Sequence, residues 1–159
     1  MRVRFGGITS DAIDEKLADA AVHYADAERA EASLLEARAL DPSCLPVYFA
    51  LYKFYFYQSR LQEAEAITLQ ALLASARQAD IPEDWQQLSA HTIDWSDIRA
   101  PQHFYLFSLK ALAFIRLRRS EADQANALLR KIDELDPRDS VGASVIRTLA
   151  AAAGKLDHA

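Results

Sequence analysis

Four side chains in one stretch, His91, Asp94, Asp97 and His103, are of the types that hold a divalent metal. Their spacing matches no zinc signature, and the cysteines that support structural zinc sites are missing from it. A polar loop in which Asp94 or Ser96 caps a turn uses the same residues without a metal. A metal-dependent activity of this chain would have to rest on that 91–103 stretch. The other histidines, His23 and His158, stand apart from it. Cys44 has no helical or sequence neighbour that would lower its pKa, so a small buried cysteine is expected rather than a nucleophile. Gly6-Gly7 lacks the Gly-Lys-Ser/Thr that completes a phosphate loop. The basic run "RLRRS" at 116–120 reads as a helix C-terminus that complements the helix dipole. Catalysis is not expected, and no cofactor is implied. The chemistry these residues do suggest is recognition, because "LYKFYFY" at 51–57 places five aromatics in six consecutive positions, 52–57.

The elements that carry those side chains follow from composition and punctuation. The chain has 159 residues, 51% hydrophobic and 26% charged, a globular balance large enough for a real core. Its net charge of −5 offers no general attraction to nucleic acid or to an acidic membrane. A single cysteine allows no internal disulfide and fits a reducing compartment. The opening "MRVRFGGITS" lacks the apolar core of a signal peptide, and the aromatic run is too short to span a bilayer. The expectation is a soluble, cytoplasmic protein.

Proline falls where helical patterns end: Pro42 after "EARALD", Pro137 after "KIDELD", with Pro82 and Pro101 bracketing a polar stretch. Between these points alanine, leucine, glutamate and arginine dominate, all good helix formers. Alternating β-branched runs joined by Asn-Gly-type turns are absent, so no strand is expected. The periodicity predicts helices at about 10–24, 28–40, 45–58, 61–77, 102–118, 121–134 and 140–153, with a short one near 83–90. Ser10 or Asp11 is placed to cap the first, and Ser140 the last. The expected fold is all-α, one domain over 1–159.

Two segments end alike, "ERAEASLLEARALDP" at 28–42 and "SEADQANALLRKIDELDP" at 120–137, and "SRLQEAEAITLQALLASA" at 59–76 shares their small-residue spacing. This pattern resembles the tetratricopeptide repeat, a helix–turn–helix unit of about 34 residues. Leu17, Ala18 and Ala21 precede Ala30, Leu34, Ala37 and Pro42 in the first unit, 11–44. Tyr48, Leu51, Tyr52 and Tyr55 precede Ala64, Thr68 and Ala71 in the second, 45–78. Leu109, Leu112, Ala113 and Arg116 precede Ala125, Leu129, Ile132 and Pro137 in the third, 106–139. The helix at 140–153 takes the place of a solvating cap, and residues 79–105 are an insertion. The resemblance implies antiparallel hairpins stacked as a short right-handed superhelix. Tyr52 stands where the family has a close-approach glycine, so either the middle hairpin is splayed or that ring turns aside. Arg116 stands where a bulky aromatic is usual. The insertion either lengthens the third unit's first helix or folds over one face.

In this family the inner face of each first helix lines a concave groove that holds a partner, which implies a site here. Tyr48, Leu51, Tyr52 and Tyr55 share the stripe that meets the paired helices, and Phe54 faces a neighbouring unit. Phe49, Lys53, Phe56 and Tyr57 are left for the groove. By the same register the third unit presents Phe107, Lys110, Phe114 and Arg118, and the first presents Glu15, Asp19, Val22 and His23. Cations over aromatic faces suit an extended, acidic protein or peptide segment. The family's carboxylate clamp is not carried over, since its asparagines are missing. The expected function is protein–protein interaction, without nucleic acid or membrane. The alternative is a homo-oligomer, such as a homodimer, whose aromatic face is buried by self-association. Residues 79–105 are a further candidate cover for the rings.

Overall fold

The computed structural model describes residues 1–157, with side chains through Ala153; His158 lies outside the described residues. Seven α-helices dominate: α1 (Asp11–Val22), α2 (Ala27–Leu40), α3 (Leu45–Tyr57), α4 (Leu61–Ala79), α5 (Pro101–Arg118), α6 (Ala122–Leu135) and α7 (Ala143–Asp157). They follow the expected helices to within a few residues. The short helix near 83–90 is a single 3-10 turn, Trp85–Gln87.

The exception to the all-helical expectation is the N-terminus, where β1 (Arg2–Arg4) and β2 (Gly7–Thr9) pair antiparallel. Phe5 and Gly6 make the turn, and Gly6 supplies the φ of 98° that a side chain would resist. The Gly-Gly pair between short apolar-polar alternations was the strand signal in the sequence.

Local signals explain the helix ends. Ser10 Oγ accepts from the Ile13 amide at 3.3 Å, the expected cap of α1, and Asp26 accepts from the Arg29 amide at 3.2 Å to cap α2. Proline sits in the first turn of both α3 and α5, where its missing N–H costs nothing. Ser140 does not cap α7. Its amide and hydroxyl bond the Asp136 carboxylate at 3.0 and 2.7 Å, while Asp139 accepts from the Ser144 amide at 3.1 Å. The buried Asp136 also accepts from the Val141 amide, so it shapes the α6–α7 turn.

Two of the hairpin turns repeat one geometry. Ser59 and Ser120 both adopt positive φ, 58° and 64°. The next amides, Arg60 and Glu121, reach back to the carbonyls of Tyr55 and Arg116 at 2.9 and 2.8 Å, closing α3 and α5 alike. The carbonyls of Asp26, Arg60 and Glu121 then accept from Ala30, Ala64 and Ala125 at 2.9, 2.9 and 3.0 Å. All three alanines are wholly buried.

The chain forms two compact units, Met1–Ser75 and the remainder from Ala76. The first holds the β-hairpin and a core from α1, α2 and α3, including Leu17, Leu34, Leu51 and Phe54. In the second, α5 and α6 pair closely and α7 docks on both. Residues 80–100 are not a helical extension of α5 but a coil packed within this unit. Trp95 Nε1 donates to the Ser89 carbonyl at 2.9 Å, Lys131 Nζ to that of Leu88 at 2.7 Å, and Gln102 to that of Asp94 at 2.9 Å. The Trp95 ring lies against Tyr105, with centroids 6.3 Å apart.

Candidate functional site

The aromatics of α3 divide by what their polar ends reach. Tyr48 donates to the Pro42 carbonyl at 2.6 Å, and Tyr55 donates to Glu31 at 2.7 Å. Arg60 grips the same carboxylate through two bonds, 2.9 and 3.0 Å, and stacks 4.8 Å from the Tyr55 ring. Arg60, opposed by desolvation and helped by Tyr55, holds Glu31 below the usual carboxylate range. Burial and the Glu31 charge push the Tyr55 phenol up to about 12. These rings are structural, as their stripe implied. Phe54 meets Tyr24 edge to face at 6.0 Å. Tyr52 lies half-buried, 5.7 Å from Phe56.

One stripe of the helix faces a groove of about 660 Å³ inside the first unit. Phe49, Lys53 and Tyr57 line it, opposite Leu17 and Tyr24, with β1 along one side. Phe5 meets the Phe49 ring at 5.0 Å in a T-shaped contact, and Lys53 Nζ sits 4.9 Å from the same ring. Tyr57 is 70% exposed. Phe56, expected on this wall, is not among its lining residues and packs between Tyr52 and Tyr57. The hairpin that carries Phe5 was the partner the sequence reading missed.

The expected face of α1 is also corrected. Glu15, Asp19, Val22 and His23 line a different recess, between α1 and α2. There Asp19 accepts from Arg29 at 3.0 Å and from Ser33 at 2.5 Å, and Lys16 pairs with Glu36 at 2.7 Å. Arg29 and then Ser33 hold the Asp19 carboxyl at about 2. Leu17, Ala21 and Tyr24, two positions on and so about 200° round the helix, face the aromatic groove instead.

In the second unit Phe107 and Phe114 are half-buried and Arg118 is exposed. Lys110 differs from Lys53. Its Nζ donates to the Val141 carbonyl at 2.7 Å while lying 4.8 Å from the Phe107 ring. Burial lowers its pKa. Lys110 therefore ties α5 to the start of α7, a structural duty that the helical register could not reveal.

Residues 91–100 fold as a capped loop, and His103 lies in the first turn of α5. Asp94 accepts from the Ser96 amide and hydroxyl at 3.0 and 2.6 Å, and Asp97 from the Arg99 amide at 3.0 Å. Among the described residues no group of three or more His, Cys, Asp or Glu side chains is placed to hold a metal ion. Cys44 is buried, and burial pushes its thiol up. No helix among the described residues is long and apolar enough to cross a membrane.

No family model matches the sequence, and no solved structure matches it. A curated relative does: the "Uncharacterized 19.8 kDa protein in nifW 5'region" of Azotobacter chroococcum mcd 1. It is 34% identical over 129 residues, covering 80% of this chain and 72% of that protein.

Proposed function

We propose that this chain, which belongs to the same family as the 19.8 kDa Azotobacter chroococcum protein, is a non-catalytic protein-interaction module. Its hairpins are degenerate tetratricopeptide-like repeats, stacked as a short right-handed superhelix and closed by α7. The recurrence of one turn geometry at Ser59 and Ser120, each followed by a buried alanine, supports that reading. The module works in the cytoplasm, a reading supported by its lone, buried cysteine.

One observation carries the binding function. The first unit's groove has an aromatic and aliphatic lining, three cations (Arg2, Arg4 and Lys53) and no acidic residue, on a chain whose net charge is −5. A groove of this size and character suits a few side chains of another protein's segment. Rings supply most of the affinity there, and Lys53 orients an acidic segment.

The test uses partners that co-purify with the full chain and are identified by mass. Lys53→Ala should weaken binding and flatten its salt dependence, and Tyr57→Ala should weaken it further, both at an unchanged melting temperature. Unaltered affinity in both variants would sink the reading. The second reading, a homo-oligomer, is favoured by Val145 and Leu149, exposed one turn apart on α7.

A further inference from the structure

We infer that the groove of the first unit takes its partner as an extended, acidic strand that adds to the outer edge of β1. This deepens the interaction reading above and rests on it. The geometry begins with the hairpin. Arg4 and Gly7 flank the two-residue turn, and Arg2 pairs with Thr9. Bonded and non-bonded pairs alternate along an antiparallel ladder, so Val3, opposite Ile8, directs its N–H and C=O away from β2. The sheet has two strands, and among the described residues no backbone hydrogen bond reaches that outer edge. An open edge is a template for another strand.

The edge opens onto the groove. Four consecutive residues, Arg2 through Phe5, line it, and no residue of β2 does. Successive side chains of a strand point to opposite faces, so a groove touching Arg2, Val3 and Arg4 of β1 runs along the strand's edge rather than under one face. An occupant bonded to Val3 would lie along β1 in the groove that Phe49 and Tyr57 also line.

Charge selects the occupant. No ion pair joins Arg2 or Lys53 to an acidic side chain among the described residues, whereas Arg4 is paired with Asp14 at 3.3 Å. Two cations that lack a carboxylate partner, Arg2 and the ring-stacked Lys53, complement a segment that alternates carboxylates with apolar residues.

Val3→Pro is the discriminating variant. Proline removes the outward N–H yet suits an edge strand, so the hairpin stays folded. The probe is a set of peptides selected from a random decapeptide display library on the full chain. The selected peptides should alternate Asp or Glu with apolar residues and should slow hydrogen exchange at the Val3 amide. Val3→Pro should lower their affinity at least tenfold with an unchanged melting temperature, and Lys53→Ala should reduce the salt dependence. Peptides that bind while Val3 exchange and Val3→Pro affinity stay unchanged would overturn strand addition and leave the groove reading intact. Basic consensus sequences, or slowing of Val3 exchange by the chain's own association, would overturn the acidic occupant. No selectable peptide at all would overturn both readings.

Discussion

Asp19 and Lys110 are charged side chains whose work is internal, and each makes a measurable prediction. The Asp19 carboxyl titrates at about 2, below its ordinary 3.8, because Arg29 and Ser33 stabilise the ionised form. A depressed folded pKa means that this stabilisation is complete above the unfolded value and disappears as pH falls through the folded one. The melting temperatures of wild type and Asp19→Asn should therefore differ at pH 7 and converge between pH 4 and pH 2, read by circular dichroism. A gap independent of pH would remove the electrostatic account of the α1–α2 recess. Lys110 Nζ donates to the Val141 carbonyl at 2.7 Å. Lys110→Met keeps the aliphatic stem but deletes that bond, at a cost of about 1.5–3 kcal/mol for a charged donor. Hydrogen exchange should accelerate across α7 more than across α2; uniform acceleration would mean that the lysine does not anchor that helix.

Close helix crossings depend on residues too small to hold helices apart. Ala64 and Ala125 are wholly buried, each four residues beyond a turn residue whose carbonyl its amide caps. Leucine at either position has nowhere to go without shifting a neighbouring helix. Ala64→Leu and Ala125→Leu should each cost about 1–3 kcal/mol in equilibrium denaturation through overpacking. Two unchanged midpoints would show that these alanines do not mark helix crossings. An exposed counterpart such as Ala66→Leu is the internal control and should stay within about 0.5 kcal/mol.

Across the molecule, the exposed apolar side chains separate the two functional readings. A monomeric interaction module should sediment as a monomer at micromolar concentration, with its groove open to a partner. A homo-oligomer should sediment as a dimer, and Val145→Glu with Leu149→Glu should return a folded monomer, since both side chains already face solvent within one chain. Monomer at every concentration removes the oligomer reading. A dimer that survives both substitutions removes α7 as its contact.

Periodicity, proline placement and helix propensity determined the helices of this chain, the Ser10 cap and the buried stripe of α3, because those depend on neighbours within a turn or two. The same local logic put Phe49, Lys53, Phe56 and Tyr57 on one wall, of which Phe56 packs between Tyr52 and Tyr57 instead. Only the tertiary structure decided what that wall meets. Phe5 arrives from a hairpin far away in sequence, whose strands of three residues each are too short to show a clear alternation. The face that α1 turns inward depends on Arg29 and Ser33 of another helix claiming Asp19. The proposed repeat register would match Lys53 with Lys110, yet one is exposed beside a groove and the other is bonded to a carbonyl. A helical register fixes which side chains share a face, but a side chain's chemistry follows from the atoms opposite it, and long-range packing supplies those.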